Sequence, residues 1–268
     1  MDGNRRVAMS YAELSVTSNF TFLTGASHPE EYMTRAAELG LAAAAITDTN
    51  SFAGIVRAHV AAKKEGVRFI VGVRLRFADE SSVIALPTDR AAYGRLCRLL
   101  TLGKQRTTKG QCTLFPDDLT EWGEGSVLIA DGLAPPPDIF LKTWKERFAN
   151  HLYWALTPLY DGQDEERFAK GAANAAHLGL PLVATGDVLM HIAGRRMMAD
   201  LLSCMREKTT IDKLGPLALP NAERRLRSPF EMRRLYKEYP EALAHTVKIA
   251  AAVQFNLDEV RYEYPDEV

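Results

Sequence analysis

The chain has 268 residues, with 33 Lys and Arg against 34 Asp and Glu for a net charge of −1. Its composition (47% hydrophobic, 25% charged, 9% aromatic) supports a full buried core and excludes disorder, collagen-like repeats and low complexity. Near-neutrality supplies no global field toward nucleic acid or an acidic membrane, and no apolar run approaches the ~18 residues of a membrane span. Cys97, Cys112 and Cys204 are odd in number and lack C-x-x-C spacing, which opposes a disulfide framework or a structural zinc site and points to a reducing cytoplasm. The start, Met1 to Ser10, has no apolar stretch of the export type.

In chain order, short apolar runs alternate with helical periodicity. The pattern predicts a first strand at Glu13 to Val16, then a helix to Gly40 with Ser27 as cap and Glu30 as its capping-box partner. A second strand follows at Ala43 to Thr47, a helix at Ser51 to Glu65 stopped by Gly66, and a third strand at Arg68 to Val73. Further strands are expected at Val83 to Pro87, Val127 to Ala130, Leu152 to Leu156 and Leu182 to Thr185. Helices near Asp89 to Leu102, Asp138 to Phe148 and Asp164 to Leu178 separate them. That makes seven strands. After Asp187 only helices are expected, at about Arg195 to Arg206, Pro229 to Tyr236 and Pro240 to Val253. Charge is asymmetric there: Arg195 to Lys237 carries 11 basic and 5 acidic residues, whereas Glu238 to Val268 carries 2 and 7.

Two segments echo each other. Glu38-Leu39-Gly40-Leu41 leads into Ile46-Thr47-Asp48, and His177-Leu178-Gly179-Leu180 leads into Thr185-Gly186-Asp187. Each delivers Thr and Asp to the carboxyl end of a strand, the edge where α/β barrels and open parallel sheets place their chemistry.

Metal-assisted hydrolysis needs His, Asp, Glu or Cys converging on that edge. The first strand instead offers Ser15, Thr17 and Ser18, the second Asp48 and Thr49, the third Arg74, the fourth Ser82, and the seventh Asp187 with His191 four residues on. Two aspartates alone do not hold a metal cluster. His28, His59, His151, His177 and His245 lie mostly in helical patterns and read as surface or helix-end imidazoles. Asp48 and Asp187 could serve chemistry or simply cap the following turn. There is no G-x-S-x-G elbow and no glycine-rich phosphate loop. In the basic stretch Arg224, Arg225, Arg227, Arg233 and Arg234 are candidates for phosphate or DNA contact, and an internal ion-pair network is the competing assignment.

Tyr11-Ala12-Glu13-Leu14, Ser18-Asn19-Phe20-Thr21-Phe22-Leu23 and Gly25-Ala26-Ser27-His28-Pro29-Glu30-Glu31 resemble the opening of the error-prone branch of bacterial C-family DNA polymerases, whose N-terminal module is a polymerase and histidinol phosphatase (PHP) domain. Ile46-Thr47-Asp48, Asp89-Arg90-Ala91-Ala92-Tyr93, Gly186-Asp187-Val188-Leu189-Met190-His191 and Leu226-Arg227-Ser228-Pro229 continue the resemblance, and Arg261 to Glu267 resembles the junction into the polymerase core.

The resemblance implies an α/β fold, a distorted seven-stranded (βα)7 TIM-like PHP barrel at 1–194, with a C-terminal helical extension at 195–268 in the same structural domain. Active members hold zinc- or manganese-type clusters and hydrolyse phosphoesters. In this sequence their ligand positions fall on Ser15, Thr17, Thr24, Thr49, Arg74, Ser82, Asp187 and Leu189, with Asp48 and His191 nearby, and only Asp187 retains a ligand. A guanidinium in place of a carboxylate at Arg74 changes the local charge by two units. Like charges ~4 Å apart repel by about 4 kcal/mol at an effective dielectric near 20, and a divalent ion doubles that.

The expectation is therefore a degenerate metal site, no cofactor, and a structural, protein-docking domain in translesion synthesis and DNA repair. Its expected partners are the palm and thumb of the polymerase and other proteins of the mutagenesis machinery. DNA would be reached through the intact polymerase, and no membrane is involved. Two alternatives stay open: a phosphoesterase or 3′–5′ exonuclease with rearranged ligands, and a DNA-contacting module built on Arg224 to Arg234.

Overall fold

The computed structural model describes residues 10–148 and 151–260; the Arg261 to Glu267 stretch lies outside them. Eight strands are present among the described residues: β1 (Ala12–Glu13), β2 (Ala43–Ile46), β3 (Phe69–Val71), β4 (Val73–Arg76), β5 (Ser82–Pro87), β6 (Ser126–Ala130), β7 (Leu152–Leu156) and β8 (Leu182–Ala184). Strands β2, β5, β6 and β7 are buried at every position, which is why they read as unbroken apolar runs rather than as an alternating pattern. Their side chains still alternate between two cores. Leu152, Trp154 and Leu156 enter one, and Tyr153 and Ala155 enter the other.

The α/β class is as expected, and the expected distorted seven-stranded barrel is met only in part, as no closed ring of strands is seen among the described residues. The strands make two sheets, β1-β2-β3 and β4-β5-β6-β7-β8, neither closed on itself. The expected third strand divides at Gly72: β3 pairs in parallel with β2, while β4 pairs antiparallel with β5. A Cβ on Gly72 would lie 2.5 Å from Leu86 Cδ2 and 2.8 Å from Thr47 Cγ2, so the crossing from one sheet to the other requires glycine. A five-residue connection turns β4 back into β5, with Phe77 N donating to Ser81 O at 2.9 Å, and β5 is also antiparallel to β6. Single parallel bridges, Thr49 to Arg74 and Val16 to Val188, join the two sheets at their carboxyl ends.

Helices α1 (Pro29–Glu38), α2 (Ile55–Glu65), α3 (Arg90–Gln105), α4 (Pro116–Trp122), α5 (Asp138–Arg147) and α6 (Asp164–Leu178) connect and flank the strands. The α1 cap is displaced one residue from expectation, with His28 N donating to Glu31 Oε2 at 2.8 Å. Gly66 and Gly179 end α2 and α6 in the left-handed conformation, and the Asp89 carboxylate caps α3 by accepting from Ala92 N at 2.7 Å. The short helix α4, opened by Pro116, has no counterpart in the sequence expectation.

Among the described residues four α-helices follow β8: α7 (Arg196–Arg206), α8 (Ile211–Leu214), α9 (Pro229–Leu235) and α10 (Pro240–Ala252). On α10, Ile249 and Ala250, with Val253 just beyond its end, complete the core that Tyr153, Ala155 and Val183 line. The helical extension thus packs directly on the strands. No described helix is long and apolar enough to cross a membrane.

Candidate functional site

Strand pairing alone brings three side chains to one face. Arg76 lies opposite Ser82, so Arg74, two residues away, projects on the same side as Ser82. Val83 lies opposite Ala130, and continuing that register sets Asp131 beside Ser82, with Asp131 N donating to Ser82 O at 3.1 Å. A fourth side chain arrives across the seam. Beyond β8, Val188 N donates to Ser15 O at 2.8 Å and Thr17 N donates to Val188 O at 2.8 Å, which sets Asp187 beside Ser15. Asp187 adopts a φ of 43°, a left-handed conformation that aspartate tolerates better than most residues.

Arg74 sits at the centre. Its Nη2 donates to Asp187 Oδ1 at 2.7 Å and to Ser15 Oγ at 2.8 Å, and its Nη1 donates to Asp131 Oδ2. Ser82 Oγ donates to the same Asp131 oxygen at 2.8 Å. Arg224, from the loop before α9, closes the other side of Asp187, pairing with Oδ2 and donating from Nε to the Asp187 carbonyl at 3.0 Å. The result is a network of two cations and two anions.

Burial by itself would raise the Asp187 carboxyl and lower the Arg74 guanidinium. Arg224 and Arg74 outweigh burial at Asp187 and hold its pKa below the usual carboxylate range. Asp187 and Asp131 likewise hold Arg74 above its ordinary value. Both groups therefore stay charged, and each compensates the desolvation of the other.

Beneath this network lies Glu13, 1% exposed. It accepts from Tyr11 Oη at 2.7 Å, Ser15 N at 2.9 Å and Gly186 N at 3.1 Å. Burial raises its pKa to about 7 against those hydrogen bonds. A Cβ on Gly186 would lie 2.3 Å from Glu13 Oε2, so the close approach of carboxylate and backbone needs glycine there.

The remaining candidates do not join the cluster. Asp48 accepts from Ser18 N at 2.8 Å, Ser18 Oγ at 2.7 Å and Thr21 Oγ1 at 2.8 Å, holding the loop after β1, while burial raises its pKa. Thr49 N donates to Thr21 Oγ1 at 3.0 Å in the same loop, and Thr24 Oγ1 contacts Phe22 O at 3.4 Å. Thr17 and Leu189 are buried, and their backbones bond elsewhere, Thr17 N donating to Val188 O and Leu189 N donating to Arg224 O. His191 turns to Ser27, with Nδ1 2.8 Å from Ser27 Oγ, and burial lowers its pKa.

The basic stretch divides. Arg224 serves Asp187, Arg225 pairs with Glu231 at 2.7 Å, and Arg227, 1% exposed, bonds Glu223 O and packs over the Tyr160 ring at 4.7 Å. Arg233 and Arg234 are exposed. Asp131 and Glu13 join the site without having stood among the candidates read from the sequence. Asp131 directly follows β6, the fifth of the strands expected from the sequence, so its place at a strand end is the signal that marks it.

These groups do not fit a divalent ion. Among the described residues no three His, Cys, Asp or Glu side chains come together as a metal would require. The two carboxylates that share the edge are bridged by a guanidinium whose charge opposes a cation.

The family described as the PHP domain matches residues 13–149, half of the chain. The chain belongs to the PHP domain family. An error-prone DNA polymerase of Ruegeria pomeroyi is 47% identical to this chain over 304 residues, covering 97% of the chain and 27% of that protein. An error-prone DNA polymerase of Rhodopseudomonas palustris is 44% identical over 270 residues, covering 96% and 24%. An error-prone DNA polymerase 1 of Agrobacterium fabrum is also 44% identical, covering 97% and 24%. The chain thus spans about a quarter of the length of these relatives. A solved amidohydrolase from Chromobacterium violaceum aligns with a TM-score of 0.49 at 17% identity, over 67% of this chain and 87% of that one, too distant to bear on chemistry.

Proposed function

We propose that this PHP domain is part of an error-prone DNA polymerase acting in translesion synthesis and DNA repair, and that its strand-end site is catalytically silent. The observation that supports this reading is Arg74 bridging Asp131 and Asp187, because the guanidinium already neutralises the two carboxylates and its charge opposes a divalent ion. The site's work is then structural. Arg74 and Arg224 tie β4, the end of β6, the end of β8 and the loop before α9 into one piece, and the extension from residue 195 belongs to the same unit. The domain would serve the polymerase as a rigid packing and docking element. Because three of its five arginines turn inward, the basic stretch has little left for DNA phosphates.

The test is an assay of the purified chain on single-stranded DNA and on a small phosphomonoester, with manganese or zinc supplied. No hydrolysis above that of Asp187→Ala is expected. Metal-dependent turnover that Asp187→Ala abolishes would support a phosphoesterase with rearranged ligands instead.

A further inference from the structure

Helix α7 carries its large apolar side chains on the outside. Ala199, Ser203 and Cys204 are the residues it buries, whereas Met197 is 69% exposed, Leu201 45% and Met205 63%. Spaced four apart, these three form a single stripe over two turns of the helix. This inverts the usual arrangement, in which bulky apolar side chains face the core and small or polar ones face water.

The stripe has a neighbour. Phe22, 82% exposed, lines a cleft of about 240 Å³ together with Met198 and Leu202. The loop bearing Phe22 is held firmly: Ser18 and Thr21 donate to Asp48, and Arg206 Nη1 reaches from α7 to Leu23 O at 2.8 Å. Leu23 sits at φ 57°, a left-handed conformation that leucine seldom adopts, and a Cβ on Gly25 would fall 2.0 Å from Ser18 O. A strained, well-anchored loop keeps an aromatic ring in solvent, the arrangement expected where a partner is to meet it.

Electrostatics narrows the partner. Every charged residue on α7 is paired within the chain, Arg196 with Asp200 at 2.8 Å and Arg206 with Glu207 at 3.0 Å, and Arg195 just before the helix pairs with Glu31. The apolar stripe therefore has no uncompensated charge of its own to offer a nucleic-acid phosphate or an anionic lipid. The relatives supply the candidate, since this chain matches only 24–27% of their length and most of each polymerase lies outside it.

We propose that the Met197–Leu201–Met205 stripe and Phe22 form the surface on which an apolar, uncharged face of the remainder of the polymerase chain docks. The proposal rests on the reading of this chain as part of a longer polymerase. Methionine suits the role because its flexible thioether adapts to an apolar partner.

Methionine oxidation tests it, with hydrogen peroxide as the probe and peptide mass spectrometry as the readout. Met197 and Met205 should oxidise roughly tenfold more slowly in the full-length polymerase than in the 268-residue chain. Met33 and Met190, fully buried, should stay slow in both and report intact folding. Met197→Glu with Met205→Glu should leave the thermal midpoint of the 268-residue chain unchanged, because both positions are exposed, and should restore rapid oxidation of Met198 in the full-length polymerase. Equal oxidation rates in the two chains would overturn the proposal. So would protection that appears in the 268-residue chain as its own concentration and its sedimentation coefficient rise, which would make a second copy the occupant. A reading frame that stops at Val268 would instead remove the polymerase reading itself, so the two failures are distinguishable.

Discussion

Arg74 and Asp187, 113 positions apart in the chain, meet at 2.7 Å where β4 faces the turn that follows β8. Asp131 on one side and Arg224 on the other complete the network, so the electrostatic logic of the edge is internal neutralisation. Arg74→Ala should destabilise the fold by about 3–5 kcal/mol, because it leaves Asp131 and Asp187 at a poorly solvated edge without their shared cation. Urea unfolding near neutral pH measures this, and a cost within experimental error would show that water already screens the pair.

Much of this edge is legible in the sequence. Ser15, Arg74, Ser82 and Asp187 are all found by asking what stands at the end of each apolar run, and the structure brings these four together. Arg224 is not legible in that way. Its pairing depends on the left-handed turn at Asp187 and on a loop that returns 37 residues later, neither of which leaves a periodic signal. Glu13 reads as an ordinary strand residue, since nothing local reveals that Gly186 will press its backbone against the carboxylate. The split third strand escapes for a similar reason. One glycine inside an apolar run marks a change of sheet only once the partners of each half are known.

Stability should fall as pH rises from acidic to neutral, through Glu13. Its ordinary value is 4.5 and its folded value about 7, so the folded state holds the extra proton between those limits. The stabilisation is complete below about 4.5 and lost as pH climbs through about 7, by on the order of 3 kcal/mol at most. Chemical unfolding at about pH 5 and about pH 8 reads the slope. Glu13→Gln should flatten it; an unchanged slope in that variant would assign the effect to another group.

On the acid side the opposite sign is expected from Glu231. Although burial raises its pKa, the hydrogen bond from Arg225 and those from Ser228 outweigh burial and lower it to about 2 from 4.5. Its contribution is therefore present above about 4.5 and disappears as pH falls toward about 2. Ser228 caps α9 by accepting from Glu231 N at 3.2 Å, so Ser228→Ala should cost about 1 kcal/mol at neutral pH. Thermal unfolding measures it, and no change would mean that Glu231 and Arg225 hold the helix start without the hydroxyl.

The central claim is that a guanidinium has taken the place of a metal. Its most direct test is the metal content of the purified chain, by elemental mass spectrometry after loading with zinc or manganese and exhaustive dialysis. The account predicts far less than one equivalent, the same for the chain as it stands and for Asp187→Ala. One or more equivalents retained by the chain and lost in Asp187→Ala would contradict it.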